Sequence, residues 1–281
     1  MERGVMYLIM GRKHWVVAAV SMLSLRRVYD GAIGIMYDED EDDAKQFVEM
    51  AMQDKTLSPV VPVPFNAKRR RRHTAYMNKP RMIETSPFSS TLFIDADTVI
   101  VDTIDPMFVS PEGGVRFTQF SDWVTTGNKI SKRCLKWQKR CPELVDAALA
   151  KSWPALNTGV VSFGSGDRAK MIGKRWQEIV WMNPSFIADE IAAQLLITEQ
   201  DCEVVDDRFN CSPLHGHYRD DAHIWHFHGR KHMHPKGKVI WEPWYREAVD
   251  RNVMNIREWT PAGDQRLAHA IRHEEVYTCT D

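Results

Sequence analysis

The stretch Thr91-Leu-Phe-Ile-Asp95-Ala-Asp97-Thr-Val-Ile-Val101 decides the fold. Its first four residues suit a buried strand, and two carboxylates separated by one residue follow directly. In sheets covered by helices, ligands bind beyond the carboxyl ends of the strands, where Asp95 and Asp97 would lie. Carboxylates at this spacing can bind one hard cation, Mn²⁺ or Mg²⁺, that bridges them to substrate phosphates. The stretch therefore predicts a metal and phosphate site at a strand end.

Strand-like and helical segments alternate before this stretch. Short apolar runs predict strands, and apolar residues at helical spacing predict the helices between them, in the order Val5 to Met10, Trp15 to Leu25, Ala32 to Tyr37, Asp43 to Met52 and Val60 to Phe65. Pro62 and Pro64 place the third strand at an edge of the sheet. The order predicts a single α/β domain with a mostly parallel central sheet flanked by helices, and a less regular C-terminal part.

Composition narrows the class of protein. The formal net charge is -1 over 281 residues, so no overall field attracts nucleic acid, and we expect no nucleic-acid partner. Five cysteines without a tight pairing pattern indicate reduced thiols and a cytoplasmic protein. The apolar stretch from Trp15 to Leu25 is too short to cross a membrane, so we expect no membrane span.

Several motifs in order resemble a known family. Phe93-Ile-Asp-Ala-Asp-Thr98, followed by Ile104-Asp105-Pro-Met-Phe108, resembles the donor-site segment of GT-A-fold glycosyltransferases, most closely of the retaining, glycogenin-like group. Further segments match that family's order, namely Lys79, Leu156-Asn157-Thr158-Gly159-Val160, Asp189-Glu190, Arg208-Phe209-Asn210 and His226-Phe227-His228-Gly229-Arg230-Lys231. The likeness extends from about Val5 to about Lys231.

The resemblance implies a reaction and a set of site residues. It implies metal-dependent transfer of a sugar, with retention, from a nucleotide-diphosphate sugar, with a UDP-sugar favoured, to an unknown hydroxyl acceptor. The implied ligands of Mn²⁺ or Mg²⁺ are Asp95, Asp97 and His226, with His228 as the fallback. The implied catalytic residues are Asp189, Asn157 and Lys231. The implied donor-binding residues are Met10, Gly11, Arg12, Lys79, Asp95, Ala96, Asp97, Asn157, Thr158, Gly159, Asp189, Glu190, Gly229 and Lys231.

The resemblance also divides the chain. Residues 1–245 would form the GT-A-like domain, with a nucleotide-sugar half at about 1–110 and an acceptor half at about 111–245. Residues 246–281 would form a C-terminal helical tail. The acceptor is left open as a glycan, a protein or a small molecule, and a homodimer is a possible assembly. Glu190 stands where the family has glutamine.

Other classes of protein fit parts of the sequence. Asp95 to Val99 also matches the first motif of haloacid-dehalogenase-type phosphatases, which would need Lys174 and Asp206-Asp207 as its later motifs. A nucleotidyltransferase would need a fuller phosphate loop than Gly11-Arg12-Lys13. A non-catalytic protein that binds sugar nucleotides is a further alternative.

Two more groups of residues, a set of Cys and His residues and a basic run, can be interpreted in more than one way. A structural zinc could be bound by Cys202, Cys211, His215 and His217, although the two cysteines are widely spaced. The basic run from Lys68 to Arg72 is typical of a solvated loop, and it could also attract an anionic donor or acceptor.

Overall fold

The computed structural model describes residues 2–68, 74–120, 133–150, 154–214, 219–228 and 231–259. Strands in these ranges are β1 (Arg3–Ile9), β2 (Ala32–Asp38), β3 (Val60–Phe65), β4 (Ser90–Ile94), β5 (Thr98–Ile100), β6 (Val115–Gln119), β7 (Leu156–Gly164), β8 (Glu203–Val205) and β9 (Ile224–His226). Helices are α1 (Trp15–Leu25), α2 (Asp42–Gln53), α3 (Thr74–Asn78), α4 (Met82–Thr85), α5 (Pro142–Ala150), α6 (Asp167–Met182), α7 (Ala188–Leu196), α8 (Pro235–Asp250) and α9 (Ile256–Trp259).

The central sheet has the strand order β3-β2-β1-β4-β7-β6-β8. The strands from β3 to β4 are parallel, β7 runs antiparallel to β4 and to β6, and β8 is parallel to β6. The predicted mostly parallel sheet is therefore confirmed. Pro62 and Pro64 lie in β3, the predicted edge strand, where their missing N–H groups cost no ladder hydrogen bond.

Both faces of the sheet are covered, which explains the apolar strand sequences. Along β1, Val5 and Tyr7 belong to one apolar cluster and Met6 belongs to another. The first cluster contains residues of α1, α2 and α8, and the second contains residues of α6 and α7. Because successive side chains of a strand point to opposite faces, the sheet lies between two helical layers.

Helix α1 is buried along its whole length, whereas its sequence spacing alone indicated one apolar face. All of its residues are buried, including Ser21 and Ser24. The two serines are satisfied within the core, since Ser21 Oγ lies 2.7 Å from Thr98 Oγ1 and Ser24 Oγ donates to the carbonyl of Ser21. A helix that is apolar all round needs cover on every side, and here β5 and α8 supply it.

A second, two-stranded sheet pairs β5 with β9. The pairing is antiparallel and sets Thr98 opposite His226 and Ile100 opposite Ile224. Because Asp97 immediately precedes β5, this register places the end of β9 beside the acidic turn. Residues far apart in the sequence thus meet at one site.

The division proposed at residue 245 falls inside α8, which continues to Asp250. Residues 260–281 lie outside the described ranges, so the two halves and the helical tail stay a prediction. Among the described residues, no helix combines the length and the apolar composition needed to cross a membrane.

Candidate active site

Asp95, Asp97 and His226 form a group that could bind one metal ion. Each offers a ligand atom, and these atoms all lie within 4.8 Å of one another. His226 Nε2 is 3.3 Å from Asp97 Oδ1 and 3.8 Å from Asp95 Oδ2. Two carboxylates and one imidazole are ligands that Mn²⁺ and Mg²⁺ sites use, so the residues present fit the predicted ion.

Backbone hydrogen bonds fix the turn that carries the two carboxylates. The N–H of Asp95 donates to the carbonyl of Gly159 at 2.7 Å, which ties the turn to β7. The hydroxyl of Thr98 donates to the carbonyl of Asp95 at 2.9 Å. The N–H of Phe227 donates to the carbonyl of Asp97 at 2.8 Å. The two carboxylates are therefore attached to a rigid backbone, which favours a preformed metal site.

A buried amide network orients His226. Its Nδ1 lies 2.8 Å from Asn210 Oδ1, so a proton on Nδ1 would be donated to that oxygen and Nε2 would be left for a metal. Asn210 Nδ2 donates in turn to Thr118 Oγ1 at 2.7 Å and to Asn157 Oδ1 at 2.9 Å. His228, the fallback ligand, has its ring centroid 5.3 Å from that of His226 and is not part of the three-residue group among the described residues.

Gly159 makes room for the His226 ring. A Cβ at this position would lie 2.3 Å from His226 Cε1 and 2.5 Å from its Nδ1. Any larger residue would therefore displace the imidazole or the strand. This contact, rather than a hydrogen bond to a ligand, is what the structure assigns to Gly159.

The members of the group shift one another's pKa. Burial alone would lower the pKa of His226, but the Asp97 carboxylate outweighs this effect and raises it. Burial alone would raise the pKa of Asp97, and the interaction with His226 reverses that shift and lowers it. The two carboxylates thus favour a cation beside them, and a divalent ion would take the place of the imidazole proton.

Lys79 connects the metal group to α7. It lies in the 3₁₀-helix Lys79–Arg81, and its side chain is only 7% exposed. Its Nζ is 2.8 Å from Asp95 Oδ1 and 3.0 Å from Asp189 Oδ2, and it also lies 3.4 Å from the carbonyl of Thr158. Burial works against its charge, but the two carboxylates raise the pKa of Lys79. A permanent positive charge therefore sits at the site.

Asp189 carries an unsatisfied acceptor. It is 1% exposed, and Thr158 Oγ1 donates to its Oδ2 at 2.7 Å. Trp176 Nε1 donates to its carbonyl at 3.0 Å, which anchors the start of α7. Its Oδ1 is buried and has no hydrogen-bond partner within the described part of the chain. Since buried oxygens are normally paired, this atom fits a hydroxyl group of a bound ligand.

Glu190 is partly neutral at physiological pH. Asn157 Nδ2 donates to its Oε1 at 2.8 Å, and Arg133 donates to its Oε2 at 3.0 Å. Burial dominates nevertheless and raises the pKa of Glu190 to about 7, with Asp189 adding to the effect and Arg133 opposing it. Asn157 is itself 2% exposed and uses both ends of its amide on protein groups, including the N–H of Gly159.

One cavity of about 1010 Å³ joins these residues. Asp95, Ala96, Asp97, Lys79 and His226 line it, together with Met10, Asp189, Glu190 and His228. Carboxylates from Asp38, the last residue of β2, to Asp43, in α2, line one part of it. Aromatic residues line another part, namely Tyr76, Phe120 and Phe186. Its volume is at the upper end for sites of drug-sized ligands, which suits a nucleotide with a sugar attached.

Some predicted residues do not line the cavity. Of the described residues, Gly11, Arg12 and the segment Asn157–Gly159 do not line the cavity. Arg12 Nε instead lies 3.2 Å from Asp43. Gly229 lies outside the described residues, and so does the side chain of Lys231, whose backbone begins the 3₁₀-helix Lys231–Met233.

Sequence reasoning missed Tyr76, Phe120, Arg133 and Phe186. No motif or spacing in the sequence singled these residues out. The zinc hypothesis stays untested, because His215 and His217 lie outside the described residues. Residues 69–72 of the basic run also lie outside the described ranges.

Sheet order and metal group together define a GT-A architecture, the fold class that the sequence predicted. Known structures agree. The chain is similar to the galactosyltransferase LgtC in complex with donor and acceptor sugar analogs, with 11% identity, a TM-score of 0.59, and coverage of 87% of this chain and 94% of that one. An active-site glutamine-to-glutamate variant of LgtC gives 12% identity, a TM-score of 0.60, and coverage of 88% and 95%.

A mammalian structure shows the same architecture. Mouse xyloside xylosyltransferase 1, in its apo form, has 10% identity to this chain, a TM-score of 0.52, and coverage of 81% of this chain and 97% of that one. No protein-family model and no curated protein matches the sequence. At this low identity the similarity establishes the fold, and the chemistry has to be argued from the site.

Proposed function

We propose that the protein is a glycosyltransferase that transfers a sugar from a nucleotide-diphosphate sugar to a hydroxyl acceptor. The observation that carries the proposal is the metal-binding group Asp95, Asp97 and His226 on the wall of a large cavity. The similarity of the fold to LgtC and to a xylosyltransferase supports it. The resemblance of the motifs favours a UDP-sugar and retention.

A metal ion at Asp95, Asp97 and His226, together with Lys79, would suit a diphosphate. When bound, Mn²⁺ or Mg²⁺ would offset the negative charge of the diphosphate as it leaves. Lys79 adds a second positive charge and holds Asp95 in place by a 2.8 Å contact. Fixed charges in a site of low polarity stabilise a developing anion because they need no rearrangement during the reaction.

The remaining polar groups suit the sugar. Asp189 Oδ1, which has no partner in the described part of the chain, would accept a hydrogen bond from a hydroxyl of the donor sugar. Asn157 would act as a positioning residue, since its amide is used on Glu190 and Asn210. Lys231 keeps its proposed catalytic role of closing over the diphosphate.

The reaction breaks two bonds, the anomeric C–O bond of the donor and the O–H bond of the acceptor, and forms two. The bond between the anomeric carbon and the diphosphate oxygen breaks, and the electron pair stays on that oxygen. The acceptor oxygen attacks the anomeric carbon from the same face, and the departing phosphate oxygen takes the acceptor's proton. Retention then requires no covalent enzyme intermediate. The mechanism we propose is this attack from the same face as the leaving group.

The phosphatase alternative gains little from the structure. Its motif would directly follow β4, the fourth strand of the chain, rather than the first. Lys174 is exposed on α6, and Asp207 is paired with Arg219. None of the three predicted phosphatase residues after Val99 is among the residues that line the cavity.

The test is donor cleavage without an acceptor. Purified protein is incubated with UDP-, GDP- and ADP-sugars and Mn²⁺, with and without EDTA, and the released nucleoside diphosphate is measured. We expect metal-dependent release from one donor. Asp97→Asn should abolish it, whereas Asp102→Asn, a change at an exposed carboxylate beyond β5, should leave it unchanged.

Two results would count against the proposal. Release that persists at the wild-type rate in Asp97→Asn would exclude the metal group as the site. Hydrolysis of a generic phosphate ester, with no cleavage of any nucleotide sugar, would favour the phosphatase instead.

A further inference from the structure

Two short segments of the cavity wall carry aromatic rings. Thr74 and Tyr76 line the cavity from α3, and Phe186 and Ile187 line it from the segment before α7. The rings of Tyr76 and Phe186 meet edge to face, with centroids 5.5 Å apart and an interplanar angle of 87°. Phe186 is 62% exposed, which is unusual for so large an apolar side chain. The wall thus keeps apolar surface available beside the polar site.

Backbone strain accompanies this exposure. Ile187 has φ 55° and ψ 31°, the left-handed region that β-branched residues rarely adopt. Such a conformation costs on the order of 1–3 kcal/mol and tends to persist at ligand sites. It lies between exposed Phe186 and buried Ala188, the first residue of α7. The turn therefore holds Phe186 at the cavity while it starts the helix that carries Asp189.

We propose that Tyr76 and Phe186 form the acceptor subsite, and that the acceptor is a saccharide that packs the C–H face of a pyranose ring on Phe186. This inference rests on the proposed function. A pyranose has one apolar face and a rim of hydroxyls, which an exposed aromatic ring and a neighbouring phenol can match. A serine or threonine side chain of a protein acceptor has no comparable face.

The position of Tyr76 supports the assignment. Burial raises the pKa of Tyr76 to about 12, and the Asp189 carboxylate adds to that effect. Its phenol therefore stays protonated. The same phenol also interacts electrostatically with Lys79 and Asp95. A saccharide on this wall would accordingly lie next to the diphosphate and donor sugar.

The experiment measures glycoside binding directly. Methyl glycosides of glucose, galactose, mannose and xylose are titrated in the presence of Mn²⁺ and UDP or GDP, with saturation-transfer-difference NMR as the readout. We expect at least one glycoside to bind, Phe186→Ala to weaken its binding about tenfold, and Phe186→Tyr to retain it. Met171→Ala, at a residue that is 57% exposed on α6 and does not line the cavity, should change nothing.

Two results would overturn the subsite. One is equal glycoside affinity for the wild type and Phe186→Ala. The other is binding of serine- or threonine-containing peptides in place of every glycoside. Donor cleavage without an acceptor is measured in parallel, and Met171→Ala should keep the wild-type rate. If the wild type cleaves no donor, the proposed function fails, while glycoside binding still decides whether the subsite exists.

Discussion

Lys79→Met should cost about 3–5 kcal/mol of the free energy of unfolding. The substitution roughly preserves side-chain volume but removes a buried charge that lies 2.8 Å from Asp95 and 3.0 Å from Asp189. Breaking a buried ion pair from one side leaves the other charge uncompensated, which is the source of this magnitude. Here two carboxylates lose the same partner, and Asp189 is only 1% exposed. The loss is large against a typical total stability of about 5–15 kcal/mol.

The assay is urea unfolding followed by tryptophan fluorescence, in EDTA so that no divalent ion replaces the lost charge. Lys238→Met is the matched control, because Lys238 lies 3.8 Å from Glu242 on the surface of α8 and its side chain is 33% exposed. That change should cost less than about 1 kcal/mol. Mn²⁺ should recover part of the loss in Lys79→Met by binding at Asp95. A Lys79→Met protein as stable as the Lys238→Met protein would refute the reasoning.

Three further predictions concern the same site. Burial raises the pKa of Glu190 from its usual 4.5 to about 7, so its contribution to stability is full below about pH 4.5 and is lost as the pH rises through 7. Glu190→Gln should therefore gain about 3 kcal/mol relative to the wild type between pH 4.5 and pH 8 in urea titrations, and a difference independent of pH would contradict this. Gly159→Ala places a Cβ 2.3 Å from His226 Cε1 and should weaken Mn²⁺ binding, measured by isothermal titration calorimetry. Asn210→Leu removes the partner of His226 Nδ1 and should weaken Mn²⁺ binding about 10- to 100-fold in the same titration. Unchanged Mn²⁺ affinity in both variants would show that the ion binds away from His226.

The first half of the fold could be predicted because its signals are local. Apolar runs predicted the strands from β1 to β4, and the prolines of β3 predicted the edge of the sheet. Asp95 and Asp97 could be placed for the same reason, since a buried strand directly precedes them.

The site as a whole depends on pairings that local patterns do not encode. His226 reaches Asp97 because β9 pairs with β5, and both strands have only three residues. The sequence predicted Glu190 as a contact of the donor. Its observed contacts with Asn157 and Arg133 depend on how α7 packs in the folded chain. Phe186 lies in a connecting segment without periodicity, so only the folded chain shows that it borders the cavity.

The three-residue pairing of β5 with β9 also links folding to ligand occupancy. Such a short pair has few hydrogen bonds of its own. The two carboxylates directly precede one of its strands, and the imidazole lies on the other. Any ion bound across it adds its binding free energy to the pairing, in proportion to the logarithm of ion concentration over the dissociation constant. The segment from Ile224 to His226 should therefore exchange its amide hydrogens more slowly as Mn²⁺ is added. The protein's resistance to unfolding should therefore rise with the Mn²⁺ concentration.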